Sequence, residues 1–355
     1  MRLGRLLLLL VVAAAVAISA ESLAWLLAAR QIQAGFREWT AASRAEGWRI
    51  TDGAEHLGGW PLAATLRVAP FSISGGENVL PGGLSWQSPQ LVLRVGLQAP
   101  RSLVVVPSGE QRIRIFGSPA IVLAASAIRA VTRFSAWSFF AKRAAPETVT
   151  ISATGVHAGP AALDPRLVSA RTLTIEGELS VAATDQRHRR SLALQASGIT
   201  LAHEQLAALG PRIEDFSLAG ALVGRMPAGA SWPSRLAAWR NSGGMVAIRG
   251  LSLVWGPLAI GGAGSFVLDQ KLQPAGQGTL RVVGYAATLD ALVAAGKIDG
   301  GAATAAKAIL MLMAQPTAPG HPPEVDIPFR VEDSTASVGR IPVLRLPEVS
   351  WPPGT

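Results

Sequence analysis

Histidine, a common metal ligand and general base, is sparse and scattered in this chain. The histidines His56, His157, His188, His203 and His321 lack the close spacing that a metal-binding helix needs. Cysteine is absent, which excludes disulfides and thiolate zinc sites. The sequence therefore predicts no metal site and no cofactor.

Motifs for nucleophilic and phosphate chemistry are also missing. No G-x-S-x-G elbow and no G-x-x-x-x-G-K loop occurs, although the chain has 37 glycines. Acidic neighbours such as Glu214 and Asp215 would face opposite ways on a strand, and Glu176 and Glu178 would share a wet face. We therefore predict solvated carboxylates, no catalytic residue and no enzyme. An envelope hydrolase with a dispersed site is the less favoured alternative.

Tryptophan offers another kind of chemistry, because a ligand can stack on its ring. Trp60 lies in the stretch GGWPLAATLRV, where Pro61 forces an extended corner before an alternating strand. Trp86 and Trp255 lie in LSWQSP and LVWGP, and this similarity suggests a duplicated strand-turn-strand unit. We predict Trp60, Trp86 and Trp255 as ligand-binding residues at strand ends. The structural alternative is that Trp60 plugs one end of an apolar layer.

The net charge of +9 is densest in the segment DQRHRR. We predict Arg187, Arg189 and Arg190 as a surface electrostatic cluster between two strands, attracted to anionic lipid headgroups or envelope polysaccharide. The alternative is a solvated hairpin tip whose charges discourage edge pairing. Nucleic acid is not the expected partner, because the N-terminus indicates export.

The N-terminus carries Arg2 and Arg5 ahead of an uninterrupted apolar run from Leu6 to Ala20. Basic residues before an apolar stretch predict a cytoplasmic N-terminus. We favour an uncleaved signal anchor over residues 1–30, with Trp25 in the interfacial aromatic belt. A signal peptide cleaved near Ala20 is the alternative. The expected location is the bacterial inner membrane, with a single pass and a periplasmic main domain.

Residues 31–47 carry Ile32, Phe36 and Trp39 at helical spacing. This pattern predicts a juxtamembrane amphipathic helix, either a stalk or a helix packed on the sheet that follows. Residues 48–355 are predicted to form an exported, β-rich domain, with two similar halves as a hypothesis. The fold class is α+β: a membrane helix, then a long antiparallel meandering sheet with a few packing helices.

The alternation of apolar and polar residues is clearest in TVTISATGV and RTLTIEGELSVAAT, and this pattern is typical of half-buried antiparallel strands. The pair Gly261–Gly262 is expected to be a turn between short strands. The stretch from Ala120 to Ala145 is predicted as a strand running into an amphipathic segment. Three short helices are predicted at SWPSRLAAWRNSGG, ATLDALVAAG and GAATAAKAILMLMAQ. In the last two, Leu289, Leu292, Ile309, Leu310 and Leu312 are expected to be buried.

Several stretches carry a resemblance to a known family. The anchor with its tryptophan-containing helix, the corner GWPLAATLRV, and the C-terminal VVGYAATLDALVAAGKID and PFRVEDSTASVGRIPVLRLPEVSWPP resemble the bacterial envelope family called domain of unknown function 2125. This resemblance covers nearly the whole chain and implies no activity at named residues. The stretch GGAGSFVLDQKLQPAGQGTLRVVGY is more loosely similar to AsmA-like envelope proteins, which are associated with lipid movement and outer-membrane biogenesis.

Low charge, abundant apolar strand faces and a tether together predict a non-catalytic, membrane-anchored cell-envelope protein. Hydrophobic residues make up 49% of the chain and charged residues 15%, against about 25% charged in typical soluble domains. The predicted partners are membrane lipids, as anchor and as ligand held on an apolar sheet face. An envelope protein-interaction scaffold is the alternative function.

Overall fold

The computed structural model describes residues 2–77, 80–115, 118–134, 146–161, 167–178, 190–202, 208–227, 231–314 and 322–351. The helices are α1 (Arg2–Ala45), α2 (Trp232–Asn241), α3 (Tyr285–Ala294) and α4 (Gly300–Met313). The strands are β1 (Arg49–Gly58), β2 (Ala63–Gly75), β3 (Leu84–Ser88), β4 (Gln90–Gly96), β5 (Ala99–Ser108), β6 (Gln111–Ile115), β7 (Ile121–Ala124), β8 (Ala127–Phe134), β9 (Pro146–Pro160), β10 (Val168–Glu178), β11 (Arg190–Leu201), β12 (Arg212–Val223), β13 (Met245–Trp255), β14 (Leu258–Leu268), β15 (Pro274–Val283), β16 (Glu324–Glu332), β17 (Thr335–Val338) and β18 (Ile341–Arg345).

All the strands belong to one sheet, and every described pairing is antiparallel. β2 pairs with both β3 and β4, which follow each other along one line. In the same way, β5 and β6 share the next line, and β7 and β8 share the line after it. Both β7 and β8 pair with β9, and from β9 onward each strand pairs with the next in sequence as far as β18. The predicted antiparallel meander is confirmed.

One continuous helix, α1, joins the apolar N-terminus to the sheet. It is the one helix among the described residues that is long and apolar enough to cross a membrane, and its apolar window is 0% buried. Its second half packs on the first strands through Ala29, Ile32 and Phe36, which are 0%, 4% and 5% exposed. Of the two alternatives for residues 31–47, the structure has the packed helix.

The main hydrophobic core lies between this half of α1 and β2–β4. Phe36 faces Phe71 at 6.3 Å between ring centroids, and Phe71 meets the edge of Trp86 at 5.5 Å. Polar contacts fix the helix to β1, since Gln33 Nε2 donates to Glu55 Oε2 at 2.8 Å and Arg37 Nε donates to the same oxygen at 3.1 Å. The packed part of α1 begins at Trp25, before the predicted end of the anchor at Arg30.

The three short helices occur where they were predicted. Ser231 caps α2 and forms a reciprocal capping box with Ser234. The expected burial in α4 is wrong at two positions, because Ile309 is 56% exposed and Leu312 is 90% exposed. The helix contacts α3 and β16 through its other side, where Ala303 is 3% exposed.

The predicted turn at Gly261–Gly262 is wrong, because β14 runs through both residues. A Cβ on Gly262 would lie 2.7 Å from Leu280 Cδ2 and 3.1 Å from the Thr279 oxygen. Glycine is therefore needed here for close approach between strands rather than for reversal of the chain. In the stretch from Ala120 to Ala145, a single strand running into an amphipathic segment was predicted, and the structure has two strands, β7 and β8, so that Ile128 and Val131 lie in a strand. The rest of the stretch lies outside the described residues.

Shortening Phe36 tests the core between α1 and the sheet. Because Phe36 is 5% exposed and contacts Phe71, Phe36→Ala should lower the free energy of unfolding by about 3–5 kcal/mol. Val267 is 47% exposed, so Val267→Ala should change it by less than about 0.5 kcal/mol. Urea unfolding of the full chain in mild detergent, followed by circular dichroism, measures both, and equal effects would contradict this packing.

Candidate functional site

One row of apolar residues crosses most of the sheet at a single height. In antiparallel pairing, directly opposite residues have their side chains on the same face. The strand pairings link the following residues, one from each successive strand line: Leu66, Leu93, Val105, Ala130, Ile151, Ile175, Leu194, Leu218, Leu251, Gly262, Leu280 and Ile327. We call this set the central row. At about 4.8 Å between strands it is about 50 Å long.

Two flanking rows widen this surface. One contains Ile128, Ala153, Leu173, Ala196, Phe216, Leu253, Ile260, Val282 and Val325. The other contains Ala64, Val95, Leu103, Thr132, Val149, Gly177, Leu192, Gly220, Ile248, Gly264, Gly278 and Phe329. We call the side of the sheet that bears the three rows the apolar face.

The opposite side of the sheet is polar. Its corresponding row contains Arg129, Ser152, Thr174, Gln195, Ser217, Ser252, Gly261, Arg281 and Asp326. The contrast between the two sides follows directly from the two-residue period of the strands. From β9 to β16 the sheet therefore has one wet side and one dry side, whereas on β4, β5 and β8 the side opposite the central row also carries Val92, Val104 and Val131.

Helix α1 covers only the beginning of the apolar face. Under it, Leu66 is 0% exposed and Leu93 is 8% exposed. From Ile151 to Leu251 the residues of the central row are only half-buried. Among the described residues, the main sheet contacts of α2 and α3 are with β14 and those of α4 are with β16. Trp239 of α2 also donates a hydrogen bond to the Val223 oxygen at the end of β12. No helix of the described residues packs extensively on the middle of the apolar face, on β9–β12.

The sheet bends strongly over this uncovered stretch. Trp232 Nε1 on α2 donates a hydrogen bond to the Glu77 carbonyl in the turn after β2. That turn and α2 are separated by seven steps between strand lines, over which the usual twist of about 20–25° per strand adds up to roughly 150°. A contact between elements that follow such distant strands indicates that the sheet is curved.

Glycine and phenylalanine shape the far part of the apolar face. Gly276 and Gly278 make room for two rings, since a Cβ on them would lie 2.8 Å from Phe266 Cδ1 and 2.7 Å from Phe329 Cε1. The rings of Phe266 and Phe329 are 6.2 Å apart at their centroids. The two rings therefore pack against the glycines of β15.

Two exposed arginines, Arg37 and Arg281, have a shifted pKa. A hydrogen bond to Glu55, and the charge of that carboxylate, raise the pKa of Arg37. A hydrogen bond to Asp326 and the nearby carboxylates raise the pKa of Arg281 in the same way. Within the described ranges, no group of three His, Asp or Glu side chains is placed to hold a metal ion. His56 and His157 are exposed, and His188, His203 and His321 lie outside the described residues.

Trp60 does not plug the apolar layer, because its side chain is 57% exposed. It lies at the corner between β1 and β2, where its Nε1 donates to Ser22 Oγ of α1 at 3.3 Å. The corner forms as expected from Pro61 and Gly59, and β2 follows it from Ala63. The residue that closes this end of the core is instead Trp25, whose Nε1 donates to the Ala63 oxygen at 3.1 Å.

Trp86 and Trp255 are partly buried in different parts of the sheet. Trp86 lies inside β3, where its Nε1 donates to Gln111 Oε1 at 3.0 Å. Trp255 ends β13 and donates to the Gly210 oxygen at 2.8 Å. The two surroundings therefore differ, and the structure does not bring Trp60, Trp86 and Trp255 together at one site. A ligand role for each of them stays a prediction.

The predicted basic cluster lies between β10 and β11. Arg190 begins β11 and is exposed, and Arg187 and Arg189 lie outside the described residues. Sequence reasoning overlooked β12, although RIEDFSLAGALV alternates and supplies Phe216 and Leu218 to the apolar face. The period-2 signal in that stretch could have revealed it.

These features define a class: a protein with one N-terminal apolar helix and a curved antiparallel meander with a single dry face. The model of an uncharacterised bacterial family, DUF2125, described as "Uncharacterized protein conserved in bacteria", matches residues 25–347. The chain belongs to this family. No curated protein and no solved structure matches the chain. The looser similarity to AsmA-like proteins stays a prediction.

Replacing Gln111 tests whether Trp86 has a structural role. Gln111 is 2% exposed, and besides accepting from Trp86 it donates to the Gly109 oxygen at 2.9 Å. Gln111→Met leaves that indole N–H without its partner and should cost about 1–3 kcal/mol of folding free energy. Gln87 is exposed on the opposite face of β3, and Gln87→Met should be nearly neutral. Urea denaturation distinguishes them, and an unaffected Gln111→Met protein would argue against the structural role.

Proposed function

We propose that this chain is a non-catalytic, single-pass protein of the bacterial cell envelope that holds lipid acyl chains on its apolar face. The observation that carries the proposal is the middle of the central row, from Ile151 to Leu251, in which apolar side chains are half-buried and no helix of the described residues packs extensively on them. Acyl chains are the simplest occupant of a dry, curved surface attached to a membrane helix.

The dimensions of the apolar face fit this occupant. One leaflet contributes about half of the roughly 30 Å hydrocarbon core of a bilayer, so an acyl chain spans about 15 Å. The uncovered middle of the central row, from Ile151 to Leu251, spans four strand intervals or about 19 Å, which is enough for one such chain. Each buried methylene contributes about 0.8 kcal/mol, so even partial cover of one chain gives useful affinity. The polar opposite side keeps the loaded sheet compatible with water.

The location follows from the anchor. Arg2 and Arg5 precede the apolar segment, which favours a cytoplasmic N-terminus and a periplasmic sheet in the inner membrane. From Leu6 to Leu23 the helix is about 27 Å long, close to the hydrocarbon thickness of a bilayer. We therefore favour an uncleaved anchor over a cleaved signal sequence.

A protein-interaction scaffold is the second function, and one observation favours it. The end of α4 presents Ile309, Met311 and Leu312 to solvent, at 56%, 69% and 90% exposure. Exposed apolar clusters of this kind often mark protein contacts. For a scaffold, cross-linking in membranes should capture a stable protein partner, and the apolar face should carry no lipid.

A paired substitution tests acyl-chain binding with a closely matched control. Leu218 and Leu251 are direct neighbours on the apolar face, and Ser217 and Ser252 are direct neighbours on the polar side of the same strands. The double variant Leu218→Glu with Leu251→Glu should lose at least about tenfold of the co-purifying lipid, because charge opposes acyl-chain burial. Ser217→Glu with Ser252→Glu should retain it. Mass spectrometry of lipids extracted from the full chain measures the difference.

A second measurement avoids any dependence on how the charged variants fold. The chain has no cysteine, so Leu251→Cys and Ser252→Cys can each carry one benzophenone group. Irradiation in membranes should attach phospholipid at position 251 and not at position 252. Wild-type protein free of lipid, together with equal labelling at the two positions, would refute acyl-chain binding by this face.

A further inference from the structure

The free apolar part of α1 ends where the sheet begins. Leu8, Val16 and Leu23 are 64%, 63% and 58% exposed, and two residues later Trp25 bonds to the sheet. Its Nε1 donates to the Ala63 oxygen at 3.1 Å and to the Gly58 oxygen at 3.3 Å. The corner between β1 and β2 is therefore fixed at the level where the helix would leave the hydrocarbon core.

Two large apolar side chains point outward at this level. Trp60 is held to Ser22 of α1 and is 57% exposed, and Leu62 is 66% exposed. Both lie at the end of the core without contributing to it. Tryptophan is the residue most typical of the membrane–water interface, where its ring lies among the headgroups.

Two arginines lie at the same edge of the sheet. The Leu97 nitrogen donates to the Leu62 oxygen at 3.2 Å, and Gly96 pairs with both Ala63 and Ala99. Next to this turn is an open depression of about 480 Å³, lined by Gln98, Ala99, Pro100, Arg101, Ser102, Arg133, Phe134 and Glu147.

The charge in this depression is unbalanced. Arg101 and Arg133 are exposed, and neither forms an ion pair with a carboxylate of the described residues. Glu147 is the single acidic residue in the lining. Two arginines beside an exposed tryptophan and leucine form the combination that binds an anionic membrane surface.

We propose that Trp60, Leu62, Arg101 and Arg133 form a membrane-facing edge that enters the bilayer surface and binds the phosphate of anionic phospholipid headgroups. The proposal rests on the anchoring role of α1, which is part of the proposed function, and does not depend on acyl-chain binding by the apolar face. It places the start of β5, the end of β8 and the start of β9 beside the lipid headgroups. The edge thereby orients the whole sheet on its membrane.

A single fluorescent label measures whether the edge is immersed. Leu62→Cys and Val343→Cys are matched, since the native side chains are 66% and 65% exposed and Val343 lies on β18 at the other end of the sheet. Each full-length variant is labelled with an environment-sensitive dye and reconstituted in phosphatidylcholine vesicles, with and without phosphatidylglycerol. Emission at position 62 should shift to the blue and be quenched by doxyl-labelled lipid, and position 343 should show neither effect.

Charge reversal then tests the headgroup contact. With the label at position 62, the additional quenching caused by phosphatidylglycerol should disappear in Arg101→Glu with Arg133→Glu. It should persist in Arg112→Glu with Arg114→Glu, because those exposed arginines lie on β6, towards the opposite end of the strands. An equal loss in both pairs would mean general attraction and would overturn the headgroup contact.

The two proposals can fail separately. Equal quenching at positions 62 and 343, or none at either, overturns the membrane-facing edge whatever the outcome at position 251. Lipid capture at position 251 without immersion at position 62 would leave acyl-chain binding standing. Immersion at position 62 without lipid capture at position 251 would support the membrane-facing edge and count against acyl-chain binding.

Discussion

In-register antiparallel pairing is the constraint on which this structure depends. Most strands alternate between apolar and polar residues, and register keeps the apolar side chains of neighbouring strands on the same side. At Leu194, Leu218 and Leu251 the match continues through three consecutive strands, and it persists beyond the bulges in the β12–β13 and β13–β14 pairings. A single slip would place serine in the central row and leucine in water. The dry side of the sheet is therefore a consequence of register.

Helix α1 covers only part of that dry side, on β2–β4. The covered part forms the main hydrophobic core, and the proposed function concerns the part that α1 does not cover. Under α1, packing is complete, because the helix supplies Ile32 and Phe36 to the spaces between the strands. On β9–β12, where no described helix packs extensively, the apolar side chains of the central row are only half-buried. The same helix that completes the core also carries the apolar stretch that is long enough to cross a membrane.

Interactions between residues close in sequence could be predicted better than packing between distant residues. Ser231 as a helix cap follows from short-range hydrogen bonding, and the structure has it. The role of a glycine pair was harder to predict. Gly261 and Gly262 have the composition of a turn and yet lie in β14, where Gly262 must be small because a neighbouring strand lies close to it. Leu312 was expected inside and is 90% exposed, because helical spacing reveals a repeating face and not what covers it.

The sequence by itself determined the apolar leader, the change from helical to two-residue periodicity after Trp48, and the class of fold, because these depend on neighbours in the chain. Only the tertiary structure decided that α1 covers β2–β4, that Trp25 rather than Trp60 closes the core, and that none of the helices it describes packs extensively on β9–β12. Those outcomes depend on contacts between residues tens to hundreds of positions apart, such as Trp232 with Glu77. No local pattern encodes which distant surface will meet a given side chain.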